Sequence, residues 1–175
     1  MKASPWSVPV RLDEIPETGL HLDLAPDAAA CAAVAGAAGV NGVARLRAGF
    51  DLARHGRDGL RVVGTVAATV RQTCVITLDP VENEIEEGID LVFVPASAAM
   101  GNEVNVSVDA AEPPEVLIDG VVDLGAIATE FLMLGVDPYP RKAGAVFDPP
   151  PSPDAGSQPF AALAALRTQR DRRRG

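Results

Sequence analysis

Residues 44–78, ARLRAGFDLARHGRDGLRVVGTVAATVRQTCVITL, carry the longest alternating pattern in the chain. Ala44, Leu46, Ala48, Phe50 and Leu52 share one parity, with Arg45, Arg47 and Asp51 on the other. The turn Arg54-His55-Gly56-Arg57-Asp58-Gly59 follows. Beyond it Leu60, Val62, Val66, Ala68, Val70, Cys74, Ile76 and Leu78 fall on one face, and Arg61, Thr65, Thr69, Arg71, Thr73 and Thr77 on the other. Side chains of a strand alternate between its two faces, so this pattern predicts a hairpin with a single buried face.

Shorter signals flank it. Trp6, Val8, Val10 and Leu12 share one parity with Ser7 and Arg11 on the other, Leu20, Leu22 and Leu24 repeat this with His21 and Asp23 opposite, and both read as half-buried strands. Pro26 opens an Ala-rich run through Cys31 and Val34 to Gly39, which predicts a helix. Asp79-Pro80 ends the hairpin, and Ile85, Ile89, Leu91 and Phe93 supply a further strand before Pro95. Residues 96–114 are small, polar and acidic and read as a mobile excursion with a short strand at Val104–Val108. Val116–Ile118 reads as the last strand. The predicted fold class is α+β: a strongly curved or partly closed, barrel-like antiparallel β-sheet with two or three helices. Residues 1–147 form the domain, and residues 148–175 a Pro-rich linker and basic C-terminal tail, with a short helix at Phe160–Leu166.

The 175 residues suffice for one real core built mainly from Val, Ile, Leu and Ala. No apolar run approaches the ~20 residues that span a bilayer. The opening MKASPWSVPVRLDEIP lacks the continuous apolar stretch of a signal peptide, so a cytoplasmic location is expected. Two cysteines make no disulfide framework, in keeping with a reducing compartment. The net charge of −9 argues against a generic nucleic-acid binder, because phosphate affinity comes from cations.

That charge is unevenly spread. Between Arg71 and Arg141 there is no Lys or Arg, while acidic residues occur throughout; Arg45, Arg47, Arg54, Arg57, Arg61 and Arg71 crowd the stretch before. Two readings stand side by side. Either the stretches bind partners of opposite sign, with Arg45, Arg47, Arg61 and Arg71 as a basic contact face, or they neutralise each other as neighbouring strands.

Cys74 invites a metal reading, but the fourth position is Thr77, parity places Cys74 inward and Thr77 outward, and no second pair follows. A buried core cysteine is expected, as for Cys31, and no metal or cofactor is assigned. Asp79, Glu82, Glu84, Glu86, Glu87 and Asp90 match no calcium loop and read as a solvated or partner-facing surface. His55 lies in a Gly-rich, Arg-flanked turn and reads as solvent-exposed. No set of nucleophile, base and orienter emerges, so no catalytic residue, reaction or small-molecule substrate is assigned.

The segment Ile118–Lys142, IDGVVDLGAIATEFLMLGVDPYPRK, combines a turn at Asp119-Gly120, an N-cap at Asp123 and a helical face of Leu124, Ile127, Ala128, Phe131 and Leu132. Gly135 fits a left-handed stop. Met133 and Leu134 are apolar off that face, leaving Thr129 and Glu130 as the main polar side chains. Asp137-Pro138-Tyr139-Pro140 then enforces extended backbone before Arg141 and Lys142. A helix apolar nearly all round is either deeply buried or docks a partner. The candidate interaction surface is Asp123, Glu130, Met133, Leu134, Asp137, Pro138, Tyr139, Pro140, Arg141 and Lys142.

These residues resemble the YceD family, the large ribosomal RNA subunit accumulation proteins. The likeness rests on Asp123-Leu124, Glu130, the Leu-x-Leu-Gly of residues 132–135, Pro138-Tyr139-Pro140 and Arg141-Lys142. Cys74 with Leu78-Asp79-Pro80-Val81, and Pro159-Phe160-Ala161 leading to Leu166, are similar to two further landmarks in family order. The resemblance runs roughly from Arg45 onward. It implies a non-enzymatic bacterial factor of ribosome biogenesis, supporting synthesis, processing or accumulation of large-subunit (23S) ribosomal RNA. Many members carry Cys-x-x-Cys where this chain has Cys74 and Thr77, so a metal or redox role for that pair does not transfer. The expected partner is a ribosomal or ribosome-assembly protein, with ribosomal RNA as an alternative contact and no membrane. An acidic adaptor or chaperone unrelated to ribosomes is the competing reading, and a hydrolase using the carboxylate cluster a third.

Overall fold

The computed structural model describes residues 4–96 and 114–149. The expectations for Val104–Val108, the Pro-rich linker beyond Pro149 and the helix at Phe160–Leu166 lie outside the described residues. The chain divides into two compact units, Met1–Ala143 and Gly144–Gly175, and the elements below belong to the first.

Five strands make the main sheet in the order β2 (Leu20–Leu24), β3 (Gly42–His55), β4 (Gly59–Thr73), β5 (Pro80–Pro95) and β6 (Glu115–Leu117). The first four are antiparallel neighbours; β6 joins the end of β5 in parallel. A separate two-stranded ribbon pairs β1 (Pro9–Arg11) with β7 (Val121–Asp123). Two α-helices complete the described fold, α1 (Ala28–Ala38) and α2 (Leu124–Gly135).

The hairpin forms as the alternation predicts, closing at His55↔Gly59. Leu46, Ala48, Phe50 and Leu52 of β3, and Leu60, Val62, Val66, Ala68 and Val70 of β4, are all buried. They join Ile85, Ile89, Val34, Leu124, Ile127, Ala128 and Leu132 in one cluster, with Trp6, Val10, Ile15 and Val122. Gly64 stands directly opposite Phe50, and a Cβ there would meet the Phe50 ring at 2.8 Å. The missing side chain is what lets the fully buried ring lie on the sheet.

The barrel-like sheet is not found. Closure would require the outer strands to meet, yet among the described residues β2 borders only β3 and β6 only β5. With five and three residues these strands are too short to form a seam. The helices and the ribbon share one core cluster with the sheet's apolar face, so burial does not depend on the sheet curling onto itself. The fold is an open, mostly-sheet structure.

Other local expectations change as well. Leu78 is not inward: β4 ends at Thr73, the chain turns, and Leu78 sits at φ 62° with 75% of its surface exposed. Strand β7 carries no alternation of its own in the sequence, being three residues between a turn and a helix cap. Gly39 ends α1 in the left-handed region, but Gly135 is not among the positive-φ residues. Its Cα faces β5 instead, where a Cβ would lie 2.5 Å from Ile85 Cγ2.

A similar close approach occurs at Gly125, where a Cβ would stand 2.8 Å from the Trp6 carbonyl oxygen. Replacing Gly by Ala inside a helix ordinarily stabilises by about 1 kcal/mol. Here the obstacle is backbone, and overpacking of roughly 1–3 kcal/mol opposes the gain. Gly125→Ala is therefore expected to lower stability, whereas Gly36→Ala, with open space around it, raises it. Urea midpoints of the two variants check this pair of opposite signs.

Candidate interaction surface

Asp123 does three jobs at the start of α2. Its carboxylate accepts from Ala126 N (3.1 Å), from Val8 N (2.8 Å) and from Ser7 Oγ (2.6 Å). It thus caps the helix and ties it to the N-terminal segment, while Leu124 N donates to Val8 O (3.0 Å). Leu124, Gly125, Ile127, Ala128, Thr129 and Leu132 are buried, and Thr129 Oγ1 donates back to Gly125 O at 2.8 Å. The polar threonine is thereby satisfied within its own helix. The opposite side exposes Glu130, Met133 (44%) and Leu134 (72%). The helix is both docked on its own sheet and apolar on the outside.

From Val136 to Lys142 the chain forms a strap that is not extended as expected but bends at Val136, Pro138 and Tyr139, and it is fastened to the β4–β5 connection at three levels. Gln72 Nε2 donates to Asp137 O (2.8 Å), and Asn83 Nδ2 donates to Gln72 Oε1 (2.8 Å). Val75 N donates to Pro140 O (2.9 Å). At the end, Lys142 N donates to Cys74 Sγ (3.3 Å) and Lys142 Nζ pairs with Asp79 Oδ2 at 2.9 Å. Pro140 is buried, whereas Pro138, Tyr139 and Arg141 face solvent. Asp137 accepts from Tyr139 N through Oδ1 (2.8 Å). The strap is pinned at both ends, and Tyr139 projects from its middle.

Cys74 is buried, as expected, but it is no ordinary core thiol. Its sulfur also accepts from Ile76 N and Thr77 N, both at 3.4 Å, so three backbone N–H groups converge on it. The Lys142 amide is the chief cause, with the Thr77 hydroxyl and amide next, of a thiol pKa brought down to about 6. The Lys142 ammonium holds the Asp79 carboxyl below its ordinary range, and Asp79 in turn raises Lys142.

Sequence reasoning missed Gln72 and Asn83. The signal was present in part: the parity that puts Val70 inward also puts Gln72 inward, and a polar residue there needs a buried partner. The partner, a carbonyl 65 positions away, has no local signature.

The arginines of the proposed basic face lie on the solvent side of the sheet, where they meet carboxylates. Arg61 is bidentate to Asp90 (3.0 and 2.8 Å), Arg71 Nε donates to Glu82 Oε1 (2.9 Å), and Arg45 lies 3.6 Å from Glu84. The Arg61 hydrogen bond lowers the Asp90 carboxyl pKa. Arg47 stands outside these pairs, across Ala67 from Glu86. Exposed pairs of this kind contribute about 0–1 kcal/mol each, so their main effect is to cancel charge.

Cys74 generates a pH prediction. Its folded pKa of about 6 lies below the ordinary thiol value of 9.0, so its contribution is fully present above pH 9.0 and is lost as pH falls through about 6. The denaturation midpoint is expected to decline over that window, and the decline to flatten in Cys74→Ala. Equal slopes in both proteins would show that the sulfur carries no such charge.

The family model for the Large ribosomal RNA subunit accumulation protein YceD matches residues 62–167 of this chain. No curated protein matches it, and no solved structure does.

Proposed function

The chain belongs to the YceD family, and from that membership we propose that it acts without catalysis as a factor on which large-subunit (23S) ribosomal RNA depends to accumulate. The family is one of ribosomal RNA accumulation factors. In this reading the chain works in the cytoplasm by holding a ribosomal or ribosome-assembly protein. Among the described residues no helix is long and apolar enough to cross a membrane.

One observation carries the reading: Met133, Leu134 and Tyr139 are exposed on elements that are otherwise tightly fastened. Apolar side chains on a rigid, pre-ordered support lose little entropy on docking, which favours a binding role over a solvated one. Beside them Glu130 and Asp137 are exposed carboxylates, which complement a basic ribosomal protein. The candidate surface is therefore Glu130, Met133, Leu134, Asp137, Pro138, Tyr139 and Arg141, with Asp123, Pro140 and Lys142 holding it in place. A direct RNA contact through Arg45, Arg47, Arg61 and Arg71 is the weaker alternative, since three of the four already face carboxylates.

Depletion of the protein is expected to reduce large-subunit particles in sucrose gradients while leaving small subunits in excess. Unchanged particle profiles would overturn the reading. Leu134→Asp together with Tyr139→Ser is expected to keep the wild-type circular dichroism and melting curve yet fail to restore the profile. Recovery of mainly non-ribosomal clients on affinity purification would favour the adaptor unrelated to ribosomes.

A further inference from the structure

Strand β5 is sixteen residues long, but on the side away from β4 it is paired only at Phe93–Pro95, by β6. Among the described residues no strand occupies the lane beside Pro80–Val92. Open sheet edges carry unpaired backbone donors and acceptors, and they are either protected or used.

This edge has two different faces. On the solvent side stand Glu82, Glu84, Glu86 and Asp90, all exposed. On the inner side stand Ile85 and Ile89, buried, with Glu87 and Leu91 half-buried. The end of α2 abuts this inner row, since a Cβ on Gly135 would meet Ile85 Cγ2 at 2.5 Å and Glu87 Oε1 at 2.8 Å. Met133 and Leu134 are exposed immediately beside that contact.

A second copy of this chain fits the lane poorly, because edge-to-edge pairing of β5 would set carboxylate against carboxylate. A strand carrying cations fits better. Glu86 stands outside the arginine pairs described above, and Glu82, Glu84 and Asp90 meet Arg71, Arg45 and Arg61 only from the β4 side, in exposed pairs worth about 0–1 kcal/mol each, so a cation on the open side can still be accepted. The outward side chains of such a strand would lie beside Glu82, Glu84, Glu86 and Asp90, and its inward ones beside Ile85, Ile89 and Leu91.

We propose that the edge of β5, open along Pro80–Val92 among the described residues, receives an extended segment of a basic ribosomal protein, alternating basic and apolar side chains, as an additional strand of the sheet. This rests on the reading of the partner as ribosomal and specifies how it is held. Main-chain hydrogen bonds supply affinity in such strand addition, and the alternating pockets supply specificity. From Glu82 to Leu91 the lane accommodates about ten residues, roughly 33 Å.

The test uses the full chain and a fluorescein-labelled peptide of alternating Val and Lys about ten residues long. Fluorescence anisotropy is expected to show binding that weakens with salt. An alternating Val-Glu peptide should not bind. Two further Val-Lys peptides carry N-methyl groups on alternate residues, one set on each edge of the strand. One set should bind as the parent does. The other, with its donors to β5 removed, should bind at least about tenfold more weakly. If both methylated peptides bind like the parent, attraction is by charge alone and strand addition is overturned. A Glu84→Lys and Glu86→Lys double variant that keeps full binding would overturn it as well. Co-sedimentation with large-subunit particles separates the two levels: retained co-sedimentation without peptide binding overturns strand addition and leaves the ribosomal reading intact.

Discussion

Strand β4 must pair on both sides at once, and the rest of the structure depends on its register. It is antiparallel to β3 on one edge and to β5 on the other, along nearly its whole length. Its inward parity supplies Leu60, Val62, Val66, Ala68 and Val70, with Gly64 giving way to Phe50. A slip of one residue against either neighbour would turn these side chains to water. Burying five such residues makes that alternative far more costly than any surface pairing could recover. The arginine-carboxylate pairs across β3, β4 and β5 are therefore consequences of register, and they leave an outer face with much of its charge cancelled in place.

The same register positions the strap. Parity carries Gln72 inward at the end of β4, where its amide bridges Asn83 and the Asp137 carbonyl. One turn later the chain reverses, and the N–H groups of Ile76 and Thr77 close around Cys74 Sγ. The strap adds the Lys142 amide to that ring and the Lys142 ammonium to Asp79. An acceptor sulfur with three N–H donors and a cation nearby is held best as the anion. The cysteine that parity places in the core thus serves as the fastening point of a segment from the other end of the domain.

What was legible in the sequence follows the range of the interactions concerned. The hairpin, the strand before Pro95, the cap at Asp123 and the turn at Asp119-Gly120 depend on neighbours a few residues away, and all are present. Closure of the sheet depends on which elements cover its apolar face, a matter of packing between distant segments, and the alternation is the same for an open or a closed sheet. Gly135 shows the ambiguity at one position. A glycine after an apolar helical run fits a left-handed stop, but the same glycine also permits close approach to a strand. Only the neighbour, Ile85, decides between them. The environment of Cys74 was equally hidden, because one of its three donors comes from 68 positions downstream.

Burial and partner docking are alternative reasons for a helix to be apolar nearly all round, and the structure buries one side of α2 while leaving Met133 and Leu134 exposed on the other. Twelve residues are too few to hold a helix in water by propensity alone. Leu124, Ile127, Ala128 and Leu132 supply the packing, and Asp123 and the strap fix the two ends. With stability secured from one side, Met133 and Leu134 are not needed for the core and stand in water. Exposed leucine on a mobile element would gain little by docking, because ordering that element would consume the gain. On a helix capped at one end and tethered at the other, most of that cost has been met during folding. The buried side of α2 therefore holds its exposed side in a pre-ordered arrangement, as the proposed docking role requires.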